Sequence, residues 1–270
     1  MQTQKYGELR SYVGTIATKL GLMPAVRALR LGYHDWVGSR RDPEERWRGG
    51  LDEEVEYWRR YLETKGFRWP DEFDSRVNPN GQMLSEFVAQ YLPSDRERVR
   101  ILDVGSGPVS SLGFPRLPDG RVIELTAADA LADRYEELLH TYRITPPAWP
   151  LPVAVEELSE HFGDGVFDLV HARNALDHTV DAFAGIRQMV RVVRPGCYVI
   201  LQHYPNVAEF HAYTGLHGWN LDERKGRFLI WQRGSREIDL EKDIGSAAEV
   251  SAWRDSQWVY CAIQRKVLDP

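Results

Sequence analysis

The feature that most constrains the fold is an alternation of short apolar runs with amphipathic helical segments, which begins near residue 96. Residues 99–104 form an apolar run bounded by charge and glycine, which is typical of a buried parallel strand. Similar runs predict strands at 121–128, 151–155, 167–172, 197–203, 228–232 and 258–264. Helical spacing of apolar residues at 131–142 and 183–193 separates several of them. This order predicts an α/β fold, with a mostly parallel sheet covered by helices on both faces.

The first 95 residues have a different pattern, and no convincing strand is predicted there. Apolar residues recur at helical spacing over 6–20, 51–62 and 84–91. Asp42 followed by Pro43 is typical of a helix start, with Asp42 as the N-cap. We therefore predict a helical N-terminal cap at 1–95 and an α/β domain at 96–270.

Composition excludes several classes of protein. The formal net charge is −6, whereas nucleic-acid binding needs a concentrated basic surface. The chain has no signal-like start and no apolar stretch of the roughly 18 residues that a membrane span requires. Cys197 and Cys261 lie in apolar runs and are expected to be thiols of a cytoplasmic protein.

The N-terminal segment is basic, unlike the rest of the chain. Residues 1–41 carry seven Lys or Arg against two acidic residues, in a chain that is acidic overall. A solvated helix face is one interpretation, and weak peripheral contact with an anionic membrane or with an acidic partner subunit is the other. The oligomeric state, including a homodimer, is left open.

A ligand site is predicted where the first strand ends. Gly105, Ser106 and Gly107 follow Asp103 directly, and glycines at such a turn let a ligand approach the backbone. Asp129 ends the next strand, where a carboxylate can accept both hydroxyls of a ribose. Pro108 follows the glycines and the third glycine of the dinucleotide fingerprint is missing, so nucleoside binding is favoured over a nicotinamide dinucleotide.

With these residues in place, the chain resembles the class I S-adenosylmethionine-dependent methyltransferases. The resemblance covers about residues 98–205 through VRILDVGSGP, TAADALADRYEELL, PVAVEEL, FDLVHARNALDH and RPGCYVILQH. It implies a Rossmann-like fold with a mostly parallel seven-stranded sheet, and S-adenosylmethionine as the cofactor. DALADRYEELL, HARNALDHTVD and residues 213–220 further resemble a bacterial subgroup often met among genes for surface glycans and small metabolites.

The resemblance also implies the cofactor contacts. Asp103, Gly105, Ser106 and Gly107 would lie along the methionine part, and Asp129 would hold the ribose. The remaining contacts would be Leu131 near the adenine, Val155 and Glu156 at the adenine edge, and Asn174 at the methionine end.

The connection after the glycine turn departs from that family. Residues 107–121 contain Gly113, Pro115, Pro118 and Gly120, so a long helix is not expected there. The cofactor carboxylate then loses a helix N-terminus as its partner. We predict that Arg76 or Tyr61 from the helical cap replaces it.

Two histidines are candidates for a general base. His178 follows the strand at 167–172 and is the first choice, with Asp177 to orient it or to contact substrate. His217 lies between glycines after a later strand and is the second choice. His178 could instead cap the following helix, and the loop of His217 could be packed surface.

Binding of the substrate that accepts the methyl group is assigned to polar and aromatic residues beside these histidines. Trp219 could stack on a ring while Asn220, Tyr213 and Arg173 contact polar groups. No metal site is predicted, because the spacings of His203, His211 and His217 match no compact zinc signature. His171, inside a strand, is expected to be structural.

The resulting functional hypothesis is methyl transfer to a hydroxyl, or less favourably an amine, of a small polar metabolite or sugar. The partners expected are a small-molecule acceptor, and neither nucleic acid nor a transmembrane segment. Two alternatives stay open: a noncatalytic cofactor-binding subunit of a partner enzyme, and a nicotinamide-dependent dehydrogenase.

Overall fold

The structure is a computed structural model that describes residues 43–267. Its longer strands are β2 (Arg98–Val104), β4 (Val122–Ala128), β6 (Phe167–Arg173), β7 (Val193–His203), β8 (Asn220–Arg224), β9 (Arg227–Trp231), β11 (Ala248–Arg254) and β12 (Val259–Arg265). Four two-residue strands complete the set: β1 (Gln82–Met83), β3 (Pro115–Arg116), β5 (Pro150–Leu151) and β10 (Ile238–Asp239).

Seven strands form the central sheet, in the order β11-β12-β7-β6-β2-β4-β5. The strands from β7 to β5 pair in parallel, and β12 alone runs antiparallel to both of its neighbours. The predicted mostly parallel seven-stranded sheet is therefore confirmed. Parallel strands place their carboxyl ends at one edge, which is where ligands bind in open α/β sheets.

Helices cover the sheet. They are α1 (Pro43–Glu63), α2 (Pro70–Val77), α3 (Glu86–Ala89), α4 (Ala132–Tyr142), α5 (Leu158–Phe162), α6 (Ala182–Val192), α7 (Val207–Phe210) and α8 (Leu240–Ile244). Single 3₁₀ turns lie at Val155–Glu157, Leu176–His178 and Gly245–Ala247. Asp181 caps α6 by accepting a hydrogen bond from the Ala184 N–H at 2.9 Å, and this stabilises the start of that helix.

The core has two main layers, one on each face of the sheet. The larger lies between the sheet and α6, and includes the fully buried Ile186 and Met189. The smaller lies on the opposite face, where α3 contributes Val88. A third cluster joins the cap to the body, because Tyr61 and Leu62 of α1 pack with Leu139 of α4.

Several elements differ from the sequence prediction. The strand predicted at 151–155 is only Pro150–Leu151, because a 3₁₀ turn already starts at Val155. The N-terminal region is not wholly helical, since β1 pairs in parallel with β3. β8, β10 and β11 were not predicted. β11 lies at the edge of the sheet, and its exposed residues include Glu249 and Arg254. Its sequence therefore lacks the apolar run by which the buried strands were predicted.

The connection from Gly107 to Arg121 contains no helix, as predicted. Side-chain hydrogen bonds fix this connection, since it lacks the backbone hydrogen bonds of a helix. The Ser110 hydroxyl donates to Asp103 Oδ2 at 2.6 Å, and Arg76 donates to the Val109 carbonyl at 2.9 Å. The loop is thus fixed both to β2 and to α2 of the cap.

Some predictions lie outside the described residues. These are the helix at 6–20, the Asp42 cap and the basic stripe before residue 42. Within 43–267, no helix is long and apolar enough to cross a membrane. Cys197 and Cys261 are free thiols, and Cys261 is fully buried.

Candidate active site

A cavity of about 1110 Å³ opens at the carboxyl edge of the sheet. Its floor is built from the residues that follow β2, β4 and β6, and α1 of the cap covers one side. The sequence-predicted cofactor residues all line this cavity: Asp103, Gly105, Ser106, Gly107, Asp129, Leu131, Val155, Glu156 and Asn174. The fold thus brings together residues that lie between positions 103 and 174.

The glycine turn needs glycine at two positions. Gly105 and Gly107 have φ angles of +62° and +63°, a left-handed region that side chains rarely adopt. A Cβ on Gly107 would also overlap the ring of Trp58, and one on Gly105 would overlap Ala175. Trp58 and Ala175 therefore pack directly against this turn, which leaves no room for a side chain at either position.

Asp129 is held by the same turn. Its Oδ2 accepts the Gly107 N–H and its Oδ1 accepts the Leu131 N–H, both at 2.9 Å. Each oxygen keeps a further lone pair for a hydroxyl donor. Burial raises the pKa of Asp129 from its usual 3.8 to about 6, against the two backbone hydrogen bonds that lower it. The negative charge of Glu54 adds to that rise.

Asp103 is engaged within the protein. Besides the Ser110 hydroxyl, its Oδ1 lies 2.7 Å from His171 Nδ1, and both residues are almost fully buried. The expectation that His171 is structural agrees with this pairing. Asp103 thus joins β2 to β6 and to the loop that follows the glycine turn, and it also lines the cavity.

Four of the predicted cofactor residues line other parts of the cavity, and two of them are apolar. Leu131 and Val155 are buried and apolar. Glu156 Oε1 accepts the Asp181 N–H at 3.0 Å. Asn174, with a φ angle of +51°, accepts the Tyr204 N–H on its side-chain oxygen at 3.4 Å.

Asp177, His178 and His217 form one compact cluster. Asp177 Oδ2 lies 2.7 Å from His217 Nδ1 and 3.3 Å from His178 Nε2. The two imidazole nitrogens lie 3.0 Å apart. Both histidines line the cavity, whereas Asp177 is fully buried beneath them and its Oδ1 has no hydrogen-bond partner. The structure thus joins both candidate bases through one carboxylate.

The charges of the cluster shift its pKa values. Burial alone would raise the pKa of Asp177, but the His178 charge and the His217 hydrogen bond hold it well below its usual value. Burial lowers the pKa of His178, yet the carboxylates of Asp177, Glu54 and Asp129 raise it overall. Burial and then the charge of His217 lower the pKa of His211 to about 4. His211 stacks on His217 with ring centroids 4.0 Å apart.

Side chains from α1 and α2 of the cap also line the cavity. Tyr61 lines the cavity and is buried, and its hydroxyl has no hydrogen-bond partner. Burial raises the pKa of Tyr61 to about 12, so the hydroxyl stays protonated. Arg76 pairs with Glu72 at 2.5 Å and lies over the rings of Trp58 and Tyr61.

Of the residues predicted to bind the acceptor, only Arg173 lines the cavity. Trp219 is buried and donates from Nε1 to the Thr179 and Val180 carbonyls. Asn220 is fully buried, accepts the Glu209 N–H and donates to the Tyr213 hydroxyl. Trp219, Asn220 and Tyr213 therefore belong to the packing below the loop of His217, which is why they do not face the cavity.

Sequence reasoning missed two important side chains. Glu54 of α1 accepts from Trp58 Nε1 at 2.9 Å, and its Oε2 lies 3.7 Å from His178 Nδ1. The signal available was helical spacing, because Glu54 precedes Trp58 by four residues and Tyr61 by seven. His203 is fully buried, and both of its ring nitrogens lack a partner. No sequence signal indicates this, since it depends on the packing of β7.

Comparisons with known proteins agree with the geometry. A family model described as a methyltransferase domain matches residues 102–201. A Schizosaccharomyces pombe protein named as an uncharacterized methyltransferase is 36% identical over 213 residues, which is 69% of this chain and 73% of that protein.

Solved structures of methyltransferases are more distant. A protein of the O-methyltransferase family from Burkholderia thailandensis has 13% identity and a TM-score of 0.44, over 63% of this chain and 52% of its own. The chain thus spans about half of that structure. The methyltransferase domain of a citrinin polyketide synthase has 16% identity and a TM-score of 0.46, over 66% of this chain and 50% of its own.

Proposed function

Because the chain belongs to the class I S-adenosylmethionine-dependent methyltransferases, we propose that it methylates a hydroxyl group, in preference to an amine, of a small polar metabolite or sugar. The observation that carries the proposal is the single cavity shared by two groups of residues. The glycine turn and Asp129 line it, and so do His178 and His217 of the cluster. A cavity of about 1110 Å³ has room for a nucleoside cofactor and a small acceptor together.

The residues present suit the cofactor. When bound, S-adenosylmethionine would supply a methyl group on a positively charged sulfur. The nucleophile would bond to the methyl carbon in line with the carbon–sulfur bond, and that bond would break. In our proposal Asp129 accepts the ribose hydroxyls, Leu131 and Val155 pack against the adenine, and the turn at Gly105 and Gly107 receives the methionine part.

For the cofactor carboxylate we propose Tyr61 and Arg76. The Tyr61 hydroxyl is a buried donor without a partner, and such a donor is costly unless a ligand satisfies it. Arg76 lines the same cavity, and its guanidinium is held there by Glu72. We expect Y61F and R76A to weaken binding of S-adenosylhomocysteine, and unchanged affinity in both variants would contradict the assignment.

For the acceptor, we propose that a histidine of the cluster takes the proton of the hydroxyl. His178 stays the first candidate and His217 the second, and Asp177 contacts both rings. A carboxylate beside an imidazole orients the ring and stabilises it once it is protonated. Arg173 lines the same space and is proposed to contact polar groups of the acceptor.

The full chain tests this function in two steps. Calorimetry with S-adenosylhomocysteine and with NAD should show binding of the first only, and loss of that binding in D129A. Radiolabelled methyl transfer is then measured with sugars, polyols, phenols and amines as acceptors. H178A and H217A should lose transfer while they keep cofactor binding, and H161Q, at an exposed surface histidine, should match the parent chain.

The outcomes separate the alternatives. Binding of NAD in place of S-adenosylhomocysteine would indicate a dehydrogenase. Cofactor binding without transfer to any acceptor would indicate a noncatalytic subunit. Transfer to amines alone would retain the family and overturn the hydroxyl assignment.

A further inference from the structure

We propose that Asp177 Oδ2, His178 Nε2 and His217 Nδ1 together form a binding site for one divalent transition-metal ion, with zinc as the reference ion. The proposal rests on the proposed function only in placing the ion on the acceptor side of the cavity. It revises the sequence-based expectation that the chain has no metal site.

The first argument is the triangle that the three atoms form. Its edges are 2.7, 3.0 and 3.3 Å. Protein ligands lie about 2.1 Å from zinc, and an ion at that distance from all three atoms would lie about 1.2 Å off their plane. The angles between ligands at the ion would then be about 80–105°, close to the values of octahedral and tetrahedral sites.

The second argument is that hydrogen bonds do not satisfy this triangle. An imidazole nitrogen presents either one N–H or one lone pair. If His217 Nδ1 donates to the carboxylate, His178 Nε2 either points a second N–H at that nitrogen from 3.0 Å or points a lone pair at Asp177 Oδ2 from 3.3 Å. If His217 Nδ1 instead accepts from His178, its lone pair faces a carboxylate oxygen at 2.7 Å. A cation binds all three lone pairs at once.

The third argument is the carboxylate itself. Asp177 is fully buried, and its second oxygen has no hydrogen-bond partner. A buried carboxylate needs a compensating positive charge, and a bound cation supplies that charge without requiring either imidazole to be protonated. Both histidines also face the cavity, so an ion there would keep open positions for water or for the acceptor oxygen.

The donor set decides the class of ion. Two imidazole nitrogens and one carboxylate suit zinc and neighbouring first-row ions, whereas Mg²⁺ prefers oxygen ligands alone. With an ion bound, the histidines are ligands, and the ion lowers the pKa of a coordinated hydroxyl. Without an ion, the same nitrogens accept the acceptor proton, as described above.

The test uses the full chain, freed of metal by a chelator and then dialysed. Calorimetric titration with Zn²⁺ should show one site per chain with a Kd in the micromolar range or tighter, and titration with Mg²⁺ should show none. Co²⁺ should give the visible absorption bands of a nitrogen- and oxygen-ligated ion. D177N, H178Q and H217Q should each weaken Zn²⁺ binding at least 100-fold, whereas H161Q should bind as the parent chain does.

His178 is partly exposed, so H178Q keeps the test valid even if the substitution at buried Asp177 unfolds the chain. Failure of Zn²⁺ to bind the parent chain, or binding that H178Q and H217Q leave unchanged, would overturn the proposal.

Cofactor binding and methyl transfer are measured on the same metal-free sample. If that sample transfers methyl groups and binds no Zn²⁺, the metal site is wrong and the proposed function stands. If Zn²⁺ binds at the cluster and no acceptor is methylated, the metal site stands and the proposed function is wrong.

Discussion

Gly107 and Gly120 share a left-handed backbone but differ in what surrounds them. Their φ angles are +63° and +79°, and only at Gly107 would a Cβ meet other atoms, those of the Trp58 ring. G120A should therefore cost only the backbone strain of about 1–2 kcal/mol. G107A adds overpacking, so we expect it to cost about 1–3 kcal/mol more. Urea denaturation of the two variants measures the difference, and equal losses would show that Trp58 yields to the new methyl group.

The charge of Asp129 should make cofactor binding depend on pH. Its pKa is raised from 3.8 to about 6, so the carboxyl takes up a proton as the pH falls below that value. A protonated carboxyl accepts ribose hydroxyls less well. We therefore expect the affinity for S-adenosylhomocysteine to rise between pH 5 and pH 7, measured by calorimetry, with D129N weak and without this step. A step of the same size in D129N would assign it to another group.

The raised pKa of Asp129 affects the stability of the folded chain in the opposite direction. A carboxyl with a raised folded-state pKa binds its proton more tightly when folded than when unfolded. Its contribution to stability is complete below about pH 4 and is lost as the pH rises through about 6. Cofactor binding and the stability of the free chain should thus respond to this pH range in opposite directions.

At the scale of elements, the Asp103 carboxylate joins β2, β6 and the loop that replaces the usual helix. Its oxygens contact His171 at 2.7 Å and Ser110 at 2.6 Å. Loss of one partner leaves a buried carboxylate partly unpaired. We expect each of H171A and S110A to cost about 1.5–3 kcal/mol for the lost hydrogen bond, and H171A to cost more because it also leaves a cavity, measured by thermal and urea unfolding. A loss below about 1 kcal/mol in H171A would mean that water replaces the ring.

The loop after β7 gives a second prediction at this scale. Asn220 bridges the Glu209 N–H of α7 and the Tyr213 hydroxyl, both at 2.9 Å. N220A should cost about 1–3 kcal/mol because it leaves buried polar groups unpaired, and Y213F, which removes one hydroxyl, should cost about 0.5–1.5 kcal/mol. If either side chain bound the acceptor, KM would rise in the transfer assay. We expect the stability to fall and KM to stay within twofold.

The elements show which parts of the fold sequence periodicity can predict. β2, β4, β6 and β7 were predicted within a few residues, because each contains a mostly apolar run that becomes buried toward its carboxyl end. β11 was missed because an edge strand exposes residues such as Glu249 and Arg254. β1 was missed because two residues carry no periodicity, and the pairing with β3 depends on how the loop folds back.

At the scale of the whole molecule, only some of the side chains that line the cavity were predicted from the sequence. Residues next to strand ends, such as Asp129 and His178, follow directly from the topology of a parallel sheet. Glu54 lies more than 70 positions before Asp129, and its place in the cavity depends on how α1 docks. Trp219 and Asn220 are polar or aromatic residues near His217, but both are buried where β8 begins. Sequence proximity to a candidate base therefore did not predict the direction of a side chain.

The docking of α1 on the body leads to the last prediction. Trp58 covers the glycine turn, and its ring lies 5.2 Å from that of Tyr61 and 6.2 Å from that of Tyr135. W58A should cost about 2–4 kcal/mol, since a large part of this ring is packed. It should also weaken S-adenosylhomocysteine binding about tenfold, because the ring supports the turn. Trp149 is 45% exposed and lies away from the cavity, so W149A should cost less than about 1 kcal/mol.

Hydrogen exchange then distinguishes support of the turn from a barrier to the cofactor. If Trp58 supports the turn, S-adenosylhomocysteine should slow amide exchange in α1 of the parent chain and slow it less in W58A. The cap would then bind the cofactor together with the sheet. If W58A instead bound S-adenosylhomocysteine more tightly than the parent chain, the ring would be an obstacle that must move before the cofactor enters. W149A, measured in parallel, should show the exchange pattern of the parent chain in α1.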